Sequence, residues 1–346
     1  MTDTLRIPAA SLTHRLASLL EGCNVAPDVA LVEAQTMVAA DLHEVPSHGV
    51  RMLPPLMTAL REDRVCARPH YTHRKDFGAC SFIDCDNGPG RHASLTGMNE
   101  AIARAHTFGI GLCLATRTTH WGRAHAYACH AAQQGLIGVC TTNAMPTMAA
   151  WGAKTRVIGN NPLAIGIPRH DANHPMVLDM AMSQAAVGKV NTWLREGNEV
   201  PQGWGIDAQG QPSTDAKAIL GGAVLPFAGH KGTGLALMME LMTAALANGA
   251  FGHEIVAGDR SGLDPESTKL FLAIDPQVFG GLDAFTLRVS QYLDYIKANA
   301  GSGQGNWPGE RGWEAYTRNL EAGVPLHQEI FNQLVAAGMK PDCQTD

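Results

Sequence analysis

One histidine lies in a segment that leaves its backbone little freedom. His48 is part of VPSHGVRMLP, residues 45–54, between Ser47 and Gly49 and two residues after Pro46. Proline and glycine both disfavour a continuing helix, so this segment is predicted to be a turn after a helix. An imidazole titrates near neutrality and can donate or accept a proton. His48 is therefore a candidate acid–base residue, and the alternative is a capping or packed histidine.

Two further segments place polar side chains where helices are predicted to begin. TTHWGRAHAY, residues 118–127, puts His120 between a predicted strand and a predicted helix, and loops at the carboxyl ends of strands are where α/β sheets bind ligands. FAGHKGTGLALMME places Lys231 among glycines at the start of a long helix, where free amides and a lysine favour an anion. The alternatives are a hydrogen bond at the helix start for His120 and a solvated lysine beside close-packed glycines.

The histidine spacings argue against a metal site. HEVPSH, which ends at His48, is one residue longer than the zincin motif HExxH, and Pro46 keeps its two histidines off a common helical face. His120, His125 and His130 are five residues apart and miss the four-residue helical repeat. The sequence also lacks a P-loop, and GPGRHA lacks the third glycine of GxGxxG. The motifs taken singly indicate only an α/β protein with polar histidines.

The elements that must position these residues alternate between strand and helix after a mainly helical first 75 residues. Helices are predicted for APDVALVEAQTMVAADL, HASLTGMNEAIARAHTFG, residues 124–134, GTGLALMMELMTAALA, DAFTLRVSQYLDYIKANA and residues 326–337. Strands are predicted for GLCLAT, LIGVCTT, NPLAIGIP, MVLDMA and KLFLAID. This alternation predicts an α/β sheet. AGSGQGNWPGERG, residues 300–312, is predicted to be a long loop of the kind that carries binding groups.

Composition narrows the class of protein. The chain has 346 residues, 45% of them hydrophobic, and a net charge of −6, so we expect two domains or one elaborated domain. Without a basic run or an apolar stretch of about 18 residues, we expect neither a nucleic-acid partner nor a membrane span. The eight cysteines form no CxxC motif and are predicted to be buried thiols of a reducing compartment, with the cytoplasm as the default location.

The motifs become specific when they are taken in order along the chain. SHGV from Ser47, THWGRAHAYACHAAQQGLIG from Thr119 and TTNAMPTMAAWGAKTRVIGNNPLAIGIP from Thr141 are followed by VLDMAMSQAAVGKV, GHKGTGLALMMELMTAAL and PGER. This order resembles the malate/L-lactate dehydrogenase-like family over about residues 5–340. Members include ureidoglycolate dehydrogenase, 2,3-diketogulonate reductase, sulfolactate dehydrogenase and Δ1-piperideine-2-carboxylate reductases.

The resemblance implies a fold class and a domain organisation. We expect an α/β fold in which a non-Rossmann nicotinamide-binding domain with a mixed sheet, residues 119–304, joins a helical or α+β substrate and dimerisation domain. That second domain comprises residues 1–118 and is completed by residues 305–346. The resemblance also implies NADH or NADPH as cofactor, a small-molecule substrate and a homodimer with the substrate site between domains.

The resemblance also assigns roles to residues at matching positions. It implies His48 as the proton donor, His120 as a histidine of the same cleft, and Asp179 as an aspartate near the nicotinamide that could support the histidine. Cofactor contacts are implied for Asp179, Met180, Ala181, Met182, Ser183, His230, Lys231, Pro308, Gly309 and Glu310.

The substrate segment departs from the family pattern. Members commonly have an arginine four residues after the histidine, where it can grip a substrate carboxylate, whereas this chain has Met52 there and Arg51 one position earlier. Ser47, Arg51 and Met52 are the predicted substrate residues. Either Arg51 substitutes, or another cation binds the carboxylate, or the substrate differs in that group. Glu44 stands where members often have glycine, and it could raise the pKa of His48 if the two side chains meet.

These inferences converge on one predicted reaction. We expect an NAD(P)H-dependent oxidoreductase that transfers hydride to or from C2 of a small 2-oxo acid or cyclic 2-imino acid. The alternatives are a 2-hydroxy acid dehydrogenase that works oxidatively and a cofactor-binding dimer without turnover. A phosphate-binding hydrolase built on Lys231 lacks a recognisable pair of nucleophile and base.

Overall fold

The amino-terminal part of the protein is a layer of helices, as its sequence predicts. The computed structural model describes residues 4–255, 263–301 and 306–340. In the first part, β1 (Thr4–Ile7) is followed by α1 (Ala9–Glu21), α2 (Pro27–Leu42), two short 3-10 turns (Pro46–His48 and Val50–Met52) and α3 (Leu53–Arg61). Pro27 occupies the first turn of α2, where its missing N–H leaves no hydrogen bond unmade.

A mixed seven-stranded sheet forms the centre of the molecule. Its strands are β2 (Thr72–Phe77), β3 (Cys80–Gly88), β4 (Ile110–Thr118), β5 (Ile137–Thr142), β6 (Leu163–Ile167), β7 (Met176–Met180) and β11 (Ser267–Ile274). They pair in the order β2-β3-β4-β11-β5-β6-β7, with β3 and β4 parallel and every other neighbouring pair antiparallel. The prediction of a mixed α/β fold is confirmed.

Helices pack on this sheet, and the shorter strands form a separate three-stranded sheet and a two-stranded sheet. The remaining helices are α4 (Gly90–Phe108), α5 (His125–Gln133), α6 (Val187–Glu196), α7 (Ala216–Gly221), α8 (His230–Glu240, continued by a π turn Leu241–Ala245), α9 (Leu282–Asn299), α10 (Glu310–Ala322) and α11 (Gln328–Ala336), with a 3-10 turn Pro276–Val278. The remaining strands are β8 (Gly205–Ile206), β9 (Pro212–Ser213), β10 (Ala223–Val224) and β12 (Val324–His327). The three-stranded sheet has the order β10-β8-β9. Strand β12 pairs with β1, so the two ends of the described chain meet.

Most predicted elements are confirmed, and the late loop is wrong in part. Helix α4 ends at Gly109, whose φ of 81° is a left-handed conformation that glycine adopts without strain. Residues 310–312 of the predicted loop instead begin α10, because Glu310 starts an amphipathic helix that packs on α2. Residues 302–305 of the same prediction lie outside the described residues.

The apolar core is divided between the helical layer and the sheet. One cluster joins α1, α2, α3 and α11 around residues such as Leu16, Met37 and Leu53. A second lies between the sheet and its helices around Phe271, Tyr127 and Met98. The predicted division at residue 118 stays a prediction, and the central sheet contains strands from both sides of that position.

Three further expectations concern cysteines, membranes and metals. The seven described cysteines are free thiols, and four of them are buried, namely Cys85, Cys113, Cys129 and Cys140. Cys343 lies outside the described residues. Among the residues that the structure describes, no helix has the length and apolar character needed to cross a membrane. The same part of the chain holds no group of three or more potential metal ligands.

Candidate active site

The turn that carries His48 is fixed by an aspartate at the end of α2. Asp41 accepts a hydrogen bond from the backbone N–H of Val50 at 2.8 Å. Its carboxylate lies so close to Gly49 that a Cβ there would come within 2.2 Å of Oδ1. Only glycine allows this approach, so the SHG sequence sets both the position and the direction of the His48 backbone.

The ring of His48 lies between a hydroxyl and a second histidine. Ser47 Oγ is 3.0 Å from His48 Nδ1, and the rings of His48 and His120 are stacked with centroids 5.8 Å apart and planes within 10°. Burial, together with the positive charges of Arg91, Arg123 and Arg51, lowers the pKa of His48 to about 4. His48 is therefore neutral in the free protein at physiological pH.

His120 is fixed by its own loop. The backbone N–H of Gly122 donates to His120 Nδ1 at 3.2 Å, so the proton of the neutral ring is on Nε2. Burial, Arg91, His48 and Lys269 together hold the pKa of His120 well below its usual value. Gly90, at the start of α4, permits the close approach of this loop, because a Cβ there would lie 2.1 Å from the carbonyl oxygen of Thr119.

A buried lysine lies beside the two histidines. Lys269 Nζ donates to Thr118 Oγ1, to the Thr119 carbonyl at 2.8 Å and to Ser267 Oγ at 3.0 Å. The two hydroxyls donate their own protons to backbone carbonyls, so all three partners act as acceptors and hold the ammonium form. Burial opposes this and lowers the pKa of Lys269 to about 7. Sequence reasoning missed Lys269, although a lysine inside the apolar strand KLFLAID indicates a buried charge.

These side chains line one small pocket of about 60 Å³. It is lined by His48, His120, Trp121, Gly122, Thr142, Ala144, Asn160, Pro162, Asp264, Ser267 and Lys269. The pocket combines two imidazoles, an ammonium group, a carboxylate and an amide. Such a set can exchange a proton with a bound group and can compensate a negative charge.

Arg51 and Met52, where the sequence departs from the family pattern, have different surroundings in the structure. Met52 packs against the apolar core of the helical layer. The charge of Arg51 acts on His48 and on Asp41, and no ion pair joins its guanidinium to another residue in the described ranges. Arg51 is thus the one of the two whose charge acts on His48.

The hypothesis that Glu44 raises the pKa of His48 is wrong. The Glu44 carboxylate is 2.6 Å from Arg318 and accepts a hydrogen bond from Asn319 at 3.3 Å. These contacts on α10 direct it away from the histidine, and the pKa of His48 is lowered by burial rather than raised.

Asp179 lies near the end of β7 and forms an ion pair with Arg123. Its Oδ2 accepts from Arg123 Nε at 3.0 Å and from the His125 backbone N–H at 3.3 Å. Burial raises the pKa of Asp179, and Arg123 opposes that rise. Within the described residues no hydrogen bond joins Asp179 to His48 or His120, so its support of a histidine stays a prediction.

Several residues predicted to contact the cofactor lie next to one another or next to the small pocket through hydrogen bonds of the backbone. Met182 donates its N–H to the carbonyl of Asn160, which lines the pocket, at 2.8 Å. The Met182 carbonyl accepts from Phe227 at 3.0 Å, just before α8 begins at His230 and Lys231. At the other end of β7, the Pro308 carbonyl accepts from Val177 at 3.0 Å. Glu310 pairs with Lys297 at 2.8 Å.

Comparisons with known proteins show similarity along nearly the whole chain. The malate/L-lactate dehydrogenase family model matches residues 7–335. The malate dehydrogenase of Pyrococcus horikoshii is 30% identical over 341 residues, which cover 95% of this chain and 94% of that protein. A Delta(1)-pyrroline-2-carboxylate/Delta(1)-piperideine-2-carboxylate reductase of Pseudomonas putida is 32% identical over 341 residues, 96% of this chain and 97% of that protein.

A solved structure shows the same arrangement of elements. The sulfolactate dehydrogenase of Methanocaldococcus jannaschii superposes with a TM-score of 0.89 at 30% identity and covers 96% of both chains. The chain is an oxidoreductase and belongs to the malate/L-lactate dehydrogenase family.

Proposed function

We propose that this protein transfers hydride between NAD(P)(H) and C2 of a small 2-oxo acid or cyclic 2-imino acid, with His48 as the proton donor. The observation that carries the proposal is the stacked pair of His48 and His120 in a small polar pocket. Reduction of a carbonyl or imine requires a proton on the adjacent oxygen or nitrogen, and a fixed imidazole is suited to supply it.

The charges around His48 support a proton transfer that depends on the substrate. In the free protein, burial and three arginines keep this histidine neutral. A substrate carboxylate would offset part of the positive charge, raise the pKa of His48 and favour the protonated form needed for reduction. Arg51 is our proposed partner for that carboxylate, because its charge reaches His48 while Met52 is packed in the core.

The neutral state of His48 also favours the alternative in which the enzyme works oxidatively. A neutral imidazole can accept the proton of a 2-hydroxyl group as a general base. A pKa of about 4 leaves His48 ready for that role over the whole physiological pH range. The same residues serve both directions.

The amino-terminal end of α8 supports a nicotinamide dinucleotide. Exposed Lys231 and the amino-terminal end of α8 offer positive charge to a diphosphate. A side chain at Gly234 would meet nothing within 4 Å, which leaves space on this side of the helix. The bound cofactor would supply or accept the hydride. Met180, Ala181 and Ser183 would contact it, whereas both backbone groups of Met182 are already paired with Asn160 and Phe227. The non-Rossmann domain 119–304 and the homodimer are part of the same proposal.

A cofactor-oxidation screen tests the proposal. Purified protein is assayed with NADH and NADPH against linear 2-oxo acids with and without methylamine, cyclic 2-imino acids, and matched analogues that lack the carboxylate. We expect turnover confined to carboxylates, and a large rise in KM for Arg51→Met with little change for Arg61→Met on the exposed end of α3. Equal turnover of carboxylate-free analogues would remove Arg51 from the proposal. Cofactor binding without any turnover would overturn the reaction itself.

A further inference from the structure

A buried ion pair joins α2 to the start of α4. Glu33 of α2 is 0% exposed and Arg91 of α4 is 2% exposed, and Arg91 Nη1 lies 3.0 Å from Glu33 Oε2. The other carboxylate oxygen accepts the backbone N–H groups of Arg91 at 2.8 Å and of His92 at 3.0 Å. Amides at a helix start have no partner within the helix, so Glu33 fixes both the first turn of α4 and the Arg91 side chain.

The guanidinium of Arg91 reaches both segments that carry the stacked histidines. Its Nη2 donates to the carbonyl oxygen of His48 at 3.5 Å. A Cβ at Gly122 would lie 2.8 Å from Arg91 Nε, and Gly122 is the residue whose N–H donates to His120 Nδ1. Arg91 therefore packs against the backbone of the His48 turn and of the His120 loop.

The ion pair is costly if its role is only structural. Desolvation of two buried charges offsets most of their attraction. In addition, Arg91 Nε is buried and has no hydrogen-bond partner in the part of the chain that the structure describes, which costs further free energy. The contacts of Arg91 with the two histidine segments give a reason for keeping a charge at this position.

We propose that Arg91, held by Glu33, is a positioning residue that sets the spacing of the His48 and His120 rings. The inference rests on the proposed function, because it assigns Arg91 to the histidine pair of that reaction. Arg91 does not line the reaction pocket itself, so it acts through the backbone of His48 and Gly122.

The charge of Arg91 has a second effect on the same pair. Next to burial, it contributes most to lowering the pKa of His48 and of His120. Removal of this charge should raise the pKa of His48, whereas a merely structural ion pair would leave that pKa unchanged. The charged and titratable groups that face His48 from the surrounding elements are Arg51, Arg91, Arg123 and His120, with Lys269 and Asp264 in the same pocket.

Histidine titration tests the inference without any turnover. The double variant Glu33→Gln/Arg91→Met removes both charges and keeps an acceptor for the amides of α4. It should stay folded, because neutral replacement of a whole buried ion pair is often tolerated. The ring ¹³C signal of His48, assigned from His48→Gln, is followed by NMR as the pH is lowered. We expect the pKa of His48 to rise from about 4 to about 5 or higher, and an unchanged pKa in the folded double variant would overturn the proposal.

The matched control lies on the same helix. Arg104 pairs with Asp76 and is 13 residues, or about 20 Å, along α4 from Arg91. Arg104→Met removes one positive charge from α4 and should leave the titration of His48 as it is in the wild type. A rise equal to that of the double variant would assign the effect to net charge and refute a local role of Arg91.

Arg91→Lys separates position from charge. Lysine keeps a positive charge beside Glu33 but lacks the second arm of the guanidinium that reaches His48. With the substrate that the cofactor-oxidation screen identifies, we expect kcat to fall about tenfold to a hundredfold while KM for the cofactor is unchanged and the pKa of His48 stays low. Wild-type kcat in Arg91→Lys would contradict the positioning role. Failure of the proposed function is a separate result, in which the wild type turns over no substrate while the titration of His48 still depends on Arg91.

Discussion

At the scale of single residues, His48 carries the most specific prediction. Replacement by glutamine keeps a hydrogen-bonding partner for Ser47 but removes the group that titrates. We expect kcat to fall by about 10²–10⁴-fold, with cofactor affinity unchanged, because general acid–base catalysis contributes that much. Steady-state kinetics and cofactor titration measure the two quantities.

The pH dependence of the wild type tests the same residue without a substitution. In the oxidative direction His48 must be neutral, so kcat/KM is retained at neutral pH and lost as the pH falls through the pKa of about 4. A loss of kcat/KM centred near pH 6.5, the usual pKa of an exposed histidine, would contradict a buried His48 ring surrounded by positive charges.

Lys269 is a second single residue with a specific prediction, and we expect it to affect stability as well as activity. Lys269→Met leaves the oxygens of Thr118, Thr119 and Ser267 without their buried donor. We expect the free energy of unfolding, measured in urea, to fall by about 1–3 kcal/mol for each acceptor that stays unsatisfied. The exposed Lys75→Met is the matched control and should change stability by less than about 0.5 kcal/mol. Equal stability of the two variants would show that the ammonium is not needed in the fold.

At the scale of elements, helices and strands could be predicted from the sequence, whereas the individual side-chain contacts between them could not. The periodicity of HASLTGMNEAIARAHTFG and the terminal Gly109 predict α4 within two residues of its bounds, because amphipathic spacing and a glycine stop are local properties. The ion pair of Arg123 with Asp179 joins a helix start to a strand 56 residues later. No local pattern contains such a contact, so the sequence could not predict it.

The glycine at the start of α4 shows how one element positions another. A Cβ at Gly90 would lie 2.1 Å from the Thr119 carbonyl and 2.4 Å from that of His120, and a backbone oxygen cannot move as a flexible side chain does. We expect Gly90→Ala to displace the His120 loop, reduce kcat and lower the free energy of unfolding by about 1–3 kcal/mol, as overpacking does. Gly221→Ala, at the end of α7 with nothing within 4 Å of its Cβ, is the control. If both variants retain wild-type kcat, α4 does not set the position of His120.

At the scale of the whole molecule, the surface of α8 supports the predicted homodimer. Large apolar side chains that remain exposed on this helix and the turn after it are Leu235, Leu237, Met238, Leu241, Met242 and Leu246. Six large apolar side chains that stay exposed within one short segment are typical of a subunit interface. The same helix begins at His230 and Lys231, so an interface there would couple dimerisation to the proposed cofactor contacts.

We therefore expect the wild-type chain of 36.8 kDa to elute at about twice that mass in size-exclusion chromatography with light scattering. Leu241→Lys places a charge in the apolar surface, and burying it in an interface would cost several kcal/mol, so this variant should be monomeric and less active. Phe77→Lys introduces the same charge at an exposed aromatic residue of β2 and should leave the mass unchanged. A monomeric wild type would refute the dimer, whereas a dimer that persists in Leu241→Lys would move the interface away from α8.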